Sequence, residues 1–344
     1  MRRERVVDIC RWVLGSVFTF SGIVKSVDPV GTSVFVEKYL ATYSLEALLP
    51  AALPIAIVLA VVEFTLGELL LSGRAHRATA VVTLIFTLLF TLITLLSATI
   101  LPIGDCGCFG DAVRLTPTQT FLKNLVLLPM AVLLCLEAKP RRFNYLSLTI
   151  VVVISLGVNL FALRYLPIID FMPYGKGVNV VESVARDRAI VDAQRNVSLV
   201  FRRVTTGEEH LFSSDDIACW QDEDLEYVGT RESEVSTTAA LPFADLVISD
   251  VEGEDVTLEL LGRESLELLC IYDARSAQRH AEAISRFISS HDDAVVLAAY
   301  SPEGFDVECY RVDAMTLRSM IRSRVGVISL RRGVIVRKSD IRDC

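Results

Sequence analysis

Five stretches of about 20 predominantly apolar residues lie in the first half of this 344-residue chain, and they constrain its fold more than any other feature. Each stretch predicts a helix that crosses a bilayer, because lipid offers no partners to backbone N–H and C=O groups and a helix pairs them internally. The predicted spans are residues 6–24, 49–71, 78–103, 120–136 and 146–166. The sequence therefore predicts a membrane all-α helical bundle.

Basic residues in the short loops predict the orientation of the bundle, because such residues stay preferentially in the cytoplasm. They are concentrated before the first span, after the second and after the fourth, at Arg2, Arg3, Arg5, Arg74, Arg77, Lys139, Arg141 and Arg142. We therefore expect a protein of the bacterial inner (cytoplasmic) membrane with a cytoplasmic N-terminus. Five crossings then place everything after residue 166 in the periplasm, an oxidising compartment.

Composition changes sharply near residue 175. The chain has a net charge of +3 before Lys176 and −11 from there onward, and charged residues recur every few positions in the second part. That pattern indicates a soluble part attached to the lipid-embedded one. An acidic part without a basic stripe argues against nucleic-acid binding, which depends on clustered Lys and Arg.

One motif carries candidate chemistry: residues 105–111 read DCGCFGD and follow the third predicted span. Cys106 and Cys108 can form a disulfide only across a tight turn, which Gly107 permits because it has no Cβ. The resulting small ring is expected to be strained and easily reduced, which favours passing redox equivalents over stapling the fold. The alternative is a static disulfide, or two free thiols, that caps the loop. We take Cys106 and Cys108 as the candidate catalytic pair.

Metal binding is not predicted, since a closed zinc site needs four ligands. The histidines are scattered through the sequence, at His76, His210, His280 and His291. A second candidate residue is Glu63, an ionisable group near the middle of the second span. It has either a proton-transfer role or a packing role, in which it is neutral or hydrogen-bonded to a neighbouring helix. Thr83, Thr87 and Thr91 on the third span are candidate partners.

The soluble part divides into two predicted regions. Residues 196–212 alternate in polarity around a Thr-Gly-Glu turn, which predicts a hairpin, and we assign residues 171–241 to a β-rich linker region. From residue 242 to 344 the predicted elements alternate. They are a strand at 268–272, a helix at 277–290, a strand at 294–300, a helix at 314–322 and a hairpin over 326–337. This order predicts a soluble α/β domain.

The stretch LLCIYDARSAQRHAEAISRF resembles the first strand and helix of a thioredoxin-like domain. Ala277 and His280 then occupy the positions of the two CxxC cysteines, and Val325 occupies the position of the cis-proline. The resemblance implies a thioredoxin-like domain that lacks CxxC and does not act as a thioredoxin. Of the remaining cysteines, Cys270 is expected in a buried strand, and Cys344 is the expected free thiol.

Residues 17–32, VFTFSGIVKSVDPVGT, and 105–124, DCGCFGDAVRLTPTQTFLKN, resemble the DoxX-like and MauE-like membrane proteins. The whole arrangement is similar to DoxX-family proteins of Bacteroidetes. The resemblance implies a four-helix core plus a fifth helix over residues 1–170, and Cys106 and Cys108 at the presumed redox position. Lys25, Asp28 and Gly31 match a family signature without an assigned role. MauE itself is associated with methylamine utilisation, where it assists maturation of a disulfide-rich periplasmic subunit.

Two functional hypotheses follow. In the first, the chain is a thiol–disulfide oxidoreductase of the lipid bilayer in which Cys106 and Cys108 exchange with a periplasmic thiol or disulfide protein during envelope protein maturation. No cofactor is identified, and a quinone in the bundle is a candidate electron acceptor. In the second, the chain is a non-catalytic membrane-anchored scaffold whose thioredoxin-like domain docks an envelope partner. A third class, a small-molecule transporter, would need several paired charges near the midplane.

Overall fold

The structure is a computed structural model. It describes residues 2–344 apart from 74–76, 101–106, 114, 139–144, 168, 195–196, 214–219, 221, 223, 233–240 and 301–306. The N-terminal helices are α1 Arg2–Val27, α2 Pro29–Thr42, α3 Ala52–Leu71, α4 Arg77–Thr99, α5 Pro117–Glu137 and α6 Tyr145–Arg164, with a 3-10 helix Glu46–Ala51 before α3. Within the described residues, five of these helices are long and apolar enough to cross a membrane. The predicted membrane helices are confirmed, with ends that differ by a few residues.

Helix α2 is the element of the membrane part that the sequence analysis missed. It begins where Asp28 accepts a hydrogen bond from the Gly31 N–H at 2.7 Å, and Pro29 occupies the first helical position. Both are ordinary signals of a helix start. At 14 residues, α2 is too short to cross a bilayer and packs against α3.

The bundle is held by close helix contacts at small residues. Helix α1 packs along α3, α4 packs on α5, and α6 contacts both α1 and α3. A Cβ at Gly22 would lie 2.3 Å from the Phe64 backbone nitrogen, and one at Gly67 would lie 2.3 Å from the Thr19 nitrogen. Glycine at these two positions lets the α1 and α3 backbones approach, as small residues do in membrane helix pairs.

The soluble part begins with α7 Val180–Gln194, followed by β1 Val197–Arg203, β2 Glu209–Ser213 and β3 Leu225–Glu232. These strands form an antiparallel sheet in the order β2-β1-β3, and the predicted hairpin is confirmed as β1 and β2. Helix α7 was not predicted. Its Val180 and Val184 lie in the core of the α/β domain, so residues 171–241 contain more than a β-rich linker.

The remaining elements are α8 Thr257–Leu261, β4 Ser265–Ile271, α9 Ala274–Arg279, α10 Ala281–Ser290, β5 Ala294–Ala298, β6 Cys309–Arg311, α11 Ala314–Met320, β7 Val325–Arg331 and β8 Val334–Asp340, with a 3-10 turn Ile341–Asp343 at the end. The sheet order is β6-β5-β4-β7-β8. Strands β4, β5 and β6 are parallel, and β7 is antiparallel to both neighbours. The predicted soluble α/β domain is therefore confirmed.

Alternating side chains of β4 enter the apolar cores on the two faces of this sheet. Leu266, Leu268 and Cys270 belong to one core, and Leu269 and Ile271 belong to the other. Apolar burial on both faces is typical of a central strand in a layered α/β domain.

Candidate functional site

The described half of the cysteine motif lies in a tight loop, residues 107–113, which we call the cysteine loop; Cys106 lies outside the described residues. The Gly110 N–H donates to the Gly107 carbonyl at 3.1 Å, and Phe109 and Val113 form a β-bridge. Gly107 has a φ of +63°, and a Cβ there would lie 2.4 Å from the ring of Phe35 on α2. Glycine is therefore required at this position on both conformational and steric grounds.

The cysteine loop is anchored to the bundle through the carbonyl oxygen of Cys108. Lys25 Nζ donates to this oxygen at 2.6 Å, and the Ser21 hydroxyl lies 2.7 Å from it. Lys25 also donates to Glu63 Oε2 at 2.6 Å and to Ser21 Oγ at 2.7 Å, so all three ammonium protons have acceptors. We call Ser21, Lys25 and Glu63 the inner anchor.

The inner anchor contains a buried ion pair, because Lys25 and Glu63 are each only 4% exposed. A buried pair is stable only when its geometry is good and its remaining protons and lone pairs have partners, which is the arrangement seen here. The expectation that Glu63 bonds to a neighbouring helix is correct, but its partners are on α1. The suggested threonine partners are wrong, since Thr83, Thr87 and Thr91 each donate to the carbonyl four residues earlier in α4.

A small cleft lies beneath the cysteine loop, between α1, α3, α4 and α5, with room for a few water molecules. Its lining residues are Val17, Phe18, Ser21, Lys25, Glu63, Phe86, Thr87, Phe90, Cys108, Lys123, Asn124 and Leu127. Lys123 Nζ also lies 4.4 Å from the ring centre of Phe109, a cation–π contact at the loop. The candidate quinone stays a prediction, since the cleft holds no feature specific to that ring.

The outer side of the cysteine loop contacts the α/β domain through a buried arginine. Arg322 Nε donates to Asp28 Oδ2 at 2.8 Å, and its Nη2 donates to Asp111 Oδ2 at 2.7 Å. The Arg322 side chain is 5% exposed. A Cβ at Gly31 would lie 2.6 Å from Arg322 Nη2, so Gly31 leaves the space that the guanidinium fills. We call Asp28, Asp111 and Arg322 the outer clamp.

A second arginine, Arg318 in α11, extends this contact along α2. Arg318 makes a two-pronged ion pair with Glu37, at 2.7 and 3.0 Å, and donates to the Ser33 hydroxyl at 3.1 Å. Paired guanidinium–carboxylate bonds of this type are strong and fix relative orientation. The α/β domain is thus attached to α2 at two successive turns of that helix.

The two sets of contacts give each member of the signature Lys25, Asp28 and Gly31 a structural role. Lys25 belongs to the inner anchor, Asp28 caps α2 and binds Arg322, and Gly31 makes room for that contact. Sequence analysis missed Ser21 and Arg322. Ser21 lies one helical turn before Lys25, which is a usable signal, but no sequence signal links Arg322 to residues 211 and 294 positions away.

The cysteines of the soluble part are placed for packing. Cys270 is fully buried in β4, where burial raises the pKa of its thiol to about 12, and burial also raises the pKa of the half-buried Cys309. Cys344 is exposed, as expected.

Helix α9 begins at Ala274 after the cap Asp273, so Ala277 and His280 lie beyond its first turn instead of at its N-terminus. Among the described side chains, no group of three or more His, Cys, Asp or Glu is placed to hold a metal ion.

Together these features define a membrane protein with several apolar helices, a buried ion pair beneath the cysteine loop, and a soluble α/β domain on that loop. Residues 3–137 match the family model described as methylamine utilisation protein MauE. The membrane part of the chain is therefore MauE-like, and the match covers α1 to α5. No curated protein and no solved structure matches the chain.

Proposed function

We propose that the protein carries out thiol–disulfide exchange at Cys106 and Cys108 in support of envelope protein maturation. The observation that carries the proposal is the fixation of the cysteine loop from two sides. Lys25 and Ser21 hold the Cys108 carbonyl from within the bundle, and Arg322 holds Asp111 from outside. Cys108 itself is half-buried at the edge of the cleft, so its backbone is fixed while part of the residue stays exposed. A thiol that exchanges with a protein partner needs such access.

The exchange transfers two electrons and two protons between the cysteine pair and a partner protein. One loop thiolate attacks a sulfur of the partner's disulfide, the other partner sulfur leaves as a thiolate, and a mixed disulfide forms. The second loop thiol then attacks its neighbour's sulfur and releases the partner as a dithiol. The same steps in reverse oxidise a partner dithiol and leave the pair reduced.

The carboxylate of the cysteine loop has a counter-ion, which bears on the stability of a thiolate at Cys108. Asp111 lies three residues from Cys108, and an uncompensated carboxylate at that position would oppose a second negative charge. Its carboxylate is paired with Arg322 at 2.7 Å, and Lys25 donates to the backbone of Cys108 itself. Because Arg322 is shared with Asp28 and Lys25 is paired with Glu63, these two cations offset part of the carboxylate charge near the loop.

The arrangement of the helix ends in the bundle supports the predicted periplasmic position of the site. The C-terminus of α1, the N-terminus of α5 and the α/β domain share the end of the bundle that carries the cysteine loop. At the other end Arg3, one of the basic residues that predict the cytoplasmic side, forms an ion pair with Glu137. This placement would put Cys106 and Cys108 in an oxidising compartment.

We also propose that the α/β domain is thioredoxin-like and has no redox role of its own. Two parallel strands, β4 and β5, followed by the antiparallel pair β7 and β8 support that assignment. The sequence DARSAQRH at 273–280 contains no cysteine, and the buried Cys270 is a poor nucleophile because burial raises the pKa of its thiol.

Acid trapping of thiols in intact cells, followed by alkylation and mass mapping, tests the exchange. With Cys108 or Cys106 replaced singly by Ser, we expect a mixed-disulfide adduct on the remaining cysteine, because its resolving thiol is gone. Cys344→Ser is the matched control and should leave the adduct unchanged. Full function in the Cys106→Ser/Cys108→Ser double variant would contradict the proposal and favour the scaffold. An impermeant maleimide added to whole cells tests the side on which Cys108 lies.

A further inference from the structure

The edge of the α/β sheet that faces the bundle is the edge at which such sheets bind ligands. Ligands of open α/β sheets lie outside the carboxyl ends of the parallel strands. Strand β4 ends at Ile271, which pairs with Val325 at the start of β7, so Tyr272 and the segment before β7 lie at this edge. Arg322 is in that segment, and it contacts the membrane part.

Tyr272 links the end of β4 to both interface arginines. Its hydroxyl donates to the Arg322 carbonyl at 3.0 Å, and the Arg318 guanidinium lies 5.9 Å from its ring centre. Arg322 Nη1 also donates to the Arg318 carbonyl at 2.7 Å. Contacts within the α/β domain therefore hold the two arginines in addition to Asp28, Asp111 and Glu37.

We propose that the α/β domain is a cap held on the cysteine loop by the outer clamp, and that release of Arg322 exposes the half-buried Cys108 more fully. The occupant of the domain's ligand edge is thus this chain's own loop. Arg322 is a positioning residue: it acts through Asp111 on the loop. The consequence for exchange rests on the proposed function, but the cap and its release are a property of the interface alone.

The chemistry of the contact explains why one arginine can control access. A guanidinium keeps its charge at any ordinary pH and offers separate donors in a rigid plane, so Arg322 can bridge two carboxylates at once. Lysine has a single charged nitrogen and cannot reproduce that bridge. Loss of Arg322 would leave Asp28, 8% exposed, and Asp111 as neighbouring carboxylates without their shared cation. Their repulsion and rehydration both favour separation of the two surfaces.

The test measures how fast a maleimide reacts with Cys108 in the purified full-length protein in lipid nanodiscs. A Cys106→Ser background leaves one loop thiol, and peptide mass spectrometry reads each cysteine separately. We expect Arg322→Gln to raise the reaction rate of Cys108 by about tenfold or more, because breaking a buried ion pair is strongly destabilising. Arg322→Lys should restore only part of the protection. An unchanged rate in Arg322→Gln, with Cys270 still unreactive, would overturn the cap.

Three controls keep the result interpretable. Arg324→Gln is the matched variant: Arg324 is more than half exposed and contacts Asp273 within the same domain at 3.8 Å, so the Cys108 rate should stay within about twofold. Cys344 should react at the wild-type rate in every variant. Cys270 reports folding, since it reacts only if the α/β core opens.

Asp111→Asn removes the same contact from the loop side. If Cys270 reacts in Arg322→Gln, which would mean that the α/β core has opened, Asp111→Asn tests the cap in its place. It should raise the Cys108 rate, and the double variant Asp111→Asn/Arg322→Gln should add little further, because both changes remove one interaction. Additive effects would count against a direct clamp. The readout involves no turnover, so the cap can hold even if the double Ser variant proves the exchange proposal wrong.

Discussion

The helical bundle and the α/β domain bury different kinds of side chain. The bundle encloses Lys25, Glu63, Asn124 and Asn159 together with a row of threonines on α4, and its outer surface carries most of the exposed large apolar side chains. The α/β domain packs apolar side chains on both faces of its sheet, and it buries fewer polar side chains, Glu267 and Asp340 among them. Lipid outside and water outside select these different patterns.

The difference agrees with the exchange site proposed at the cysteine loop. Buried polar groups are costly, and the bundle concentrates its buried ion pair directly beneath the cysteine loop. In the α/β domain, the cysteine of the central strand is fully buried in the apolar core, and burial raises the pKa of its thiol. Four measurements test this contrast between the bundle and the α/β domain.

The largest effect is expected at the inner anchor. Glu63→Ala leaves Lys25 charged and buried, which should cost about 3–5 kcal/mol of bundle stability. Unfolding of the purified protein in mixed SDS micelles, followed by the fluorescence of Trp12, measures it. The double variant Lys25→Met/Glu63→Leu should recover most of the loss, because no unpaired charge remains. A loss below about 1 kcal/mol in the single variant would mean that the ion pair is not the organising contact of the bundle.

A slightly smaller effect is expected in the core of the α/β domain. Leu268→Ala removes a fully buried side chain from β4 and should destabilise the domain by about 2–5 kcal/mol. Hydrogen exchange of the β4 and β5 amides reports this loss. Leu258→Ala, on the exposed face of α8, is the matched control and should change exchange by no more than about 0.5 kcal/mol. Equal effects would show that the apolar core is not the source of the domain's stability.

Alkaline pH should weaken the α/β domain through Tyr272. Burial raises the pKa of Tyr272 from 10.0 to about 12, so the folded state disfavours the phenolate. The stability that this group contributes is complete below pH 10 and is lost as pH rises toward 12, by up to about 2 kcal/mol. Urea titrations between pH 9 and about 11.5 measure the slope, and Tyr272→Phe should lack this component. A variant with the wild-type slope would assign the alkaline loss to another group.

The smallest effect is expected on the threonine row of α4. The Thr87 hydroxyl donates to the Thr83 carbonyl of its own helix at 2.8 Å, so it links no other helix. Thr87→Val should therefore change bundle stability by less than about 0.6 kcal/mol in the same SDS assay. Thr99→Val is the control, because its hydroxyl makes the same contact on an exposed face. A loss comparable to that of Glu63→Ala would show that the row holds helices together.

The sequence predicts the membrane spans well because lipid imposes length and apolar composition on each helix locally. It also predicts the β1–β2 hairpin and the alternating elements of the α/β domain, which follow from short-range periodicity. Helix α7 was not predicted because it has few apolar residues on one face and its many charges resemble those of a loop. Helix α2 was not predicted either, although Asp28 and Pro29 are recognisable signals of a helix start.

The candidate site could be predicted only in part. Cys106 and Cys108 stand out as a motif, and the ionisable Glu63 stands out by its depth in an apolar span. Its partner Lys25 lies 38 residues earlier, and the partner of Asp28 lies 294 residues later. Contacts over such separations depend on how the helices and the sheet pack, and no local pattern in a single sequence encodes that packing.

The 294-residue separation between Asp28 and Arg322 also bears on biogenesis. Asp28 and Asp111 are synthesised with the helical bundle, whereas their common counter-ion follows β6 and α11 of the α/β domain. Until then both carboxylates lack the guanidinium of Arg322, and the segment around α2 lacks its final neighbour. The final contacts of the N-terminal part therefore form only after most of the α/β domain has been made.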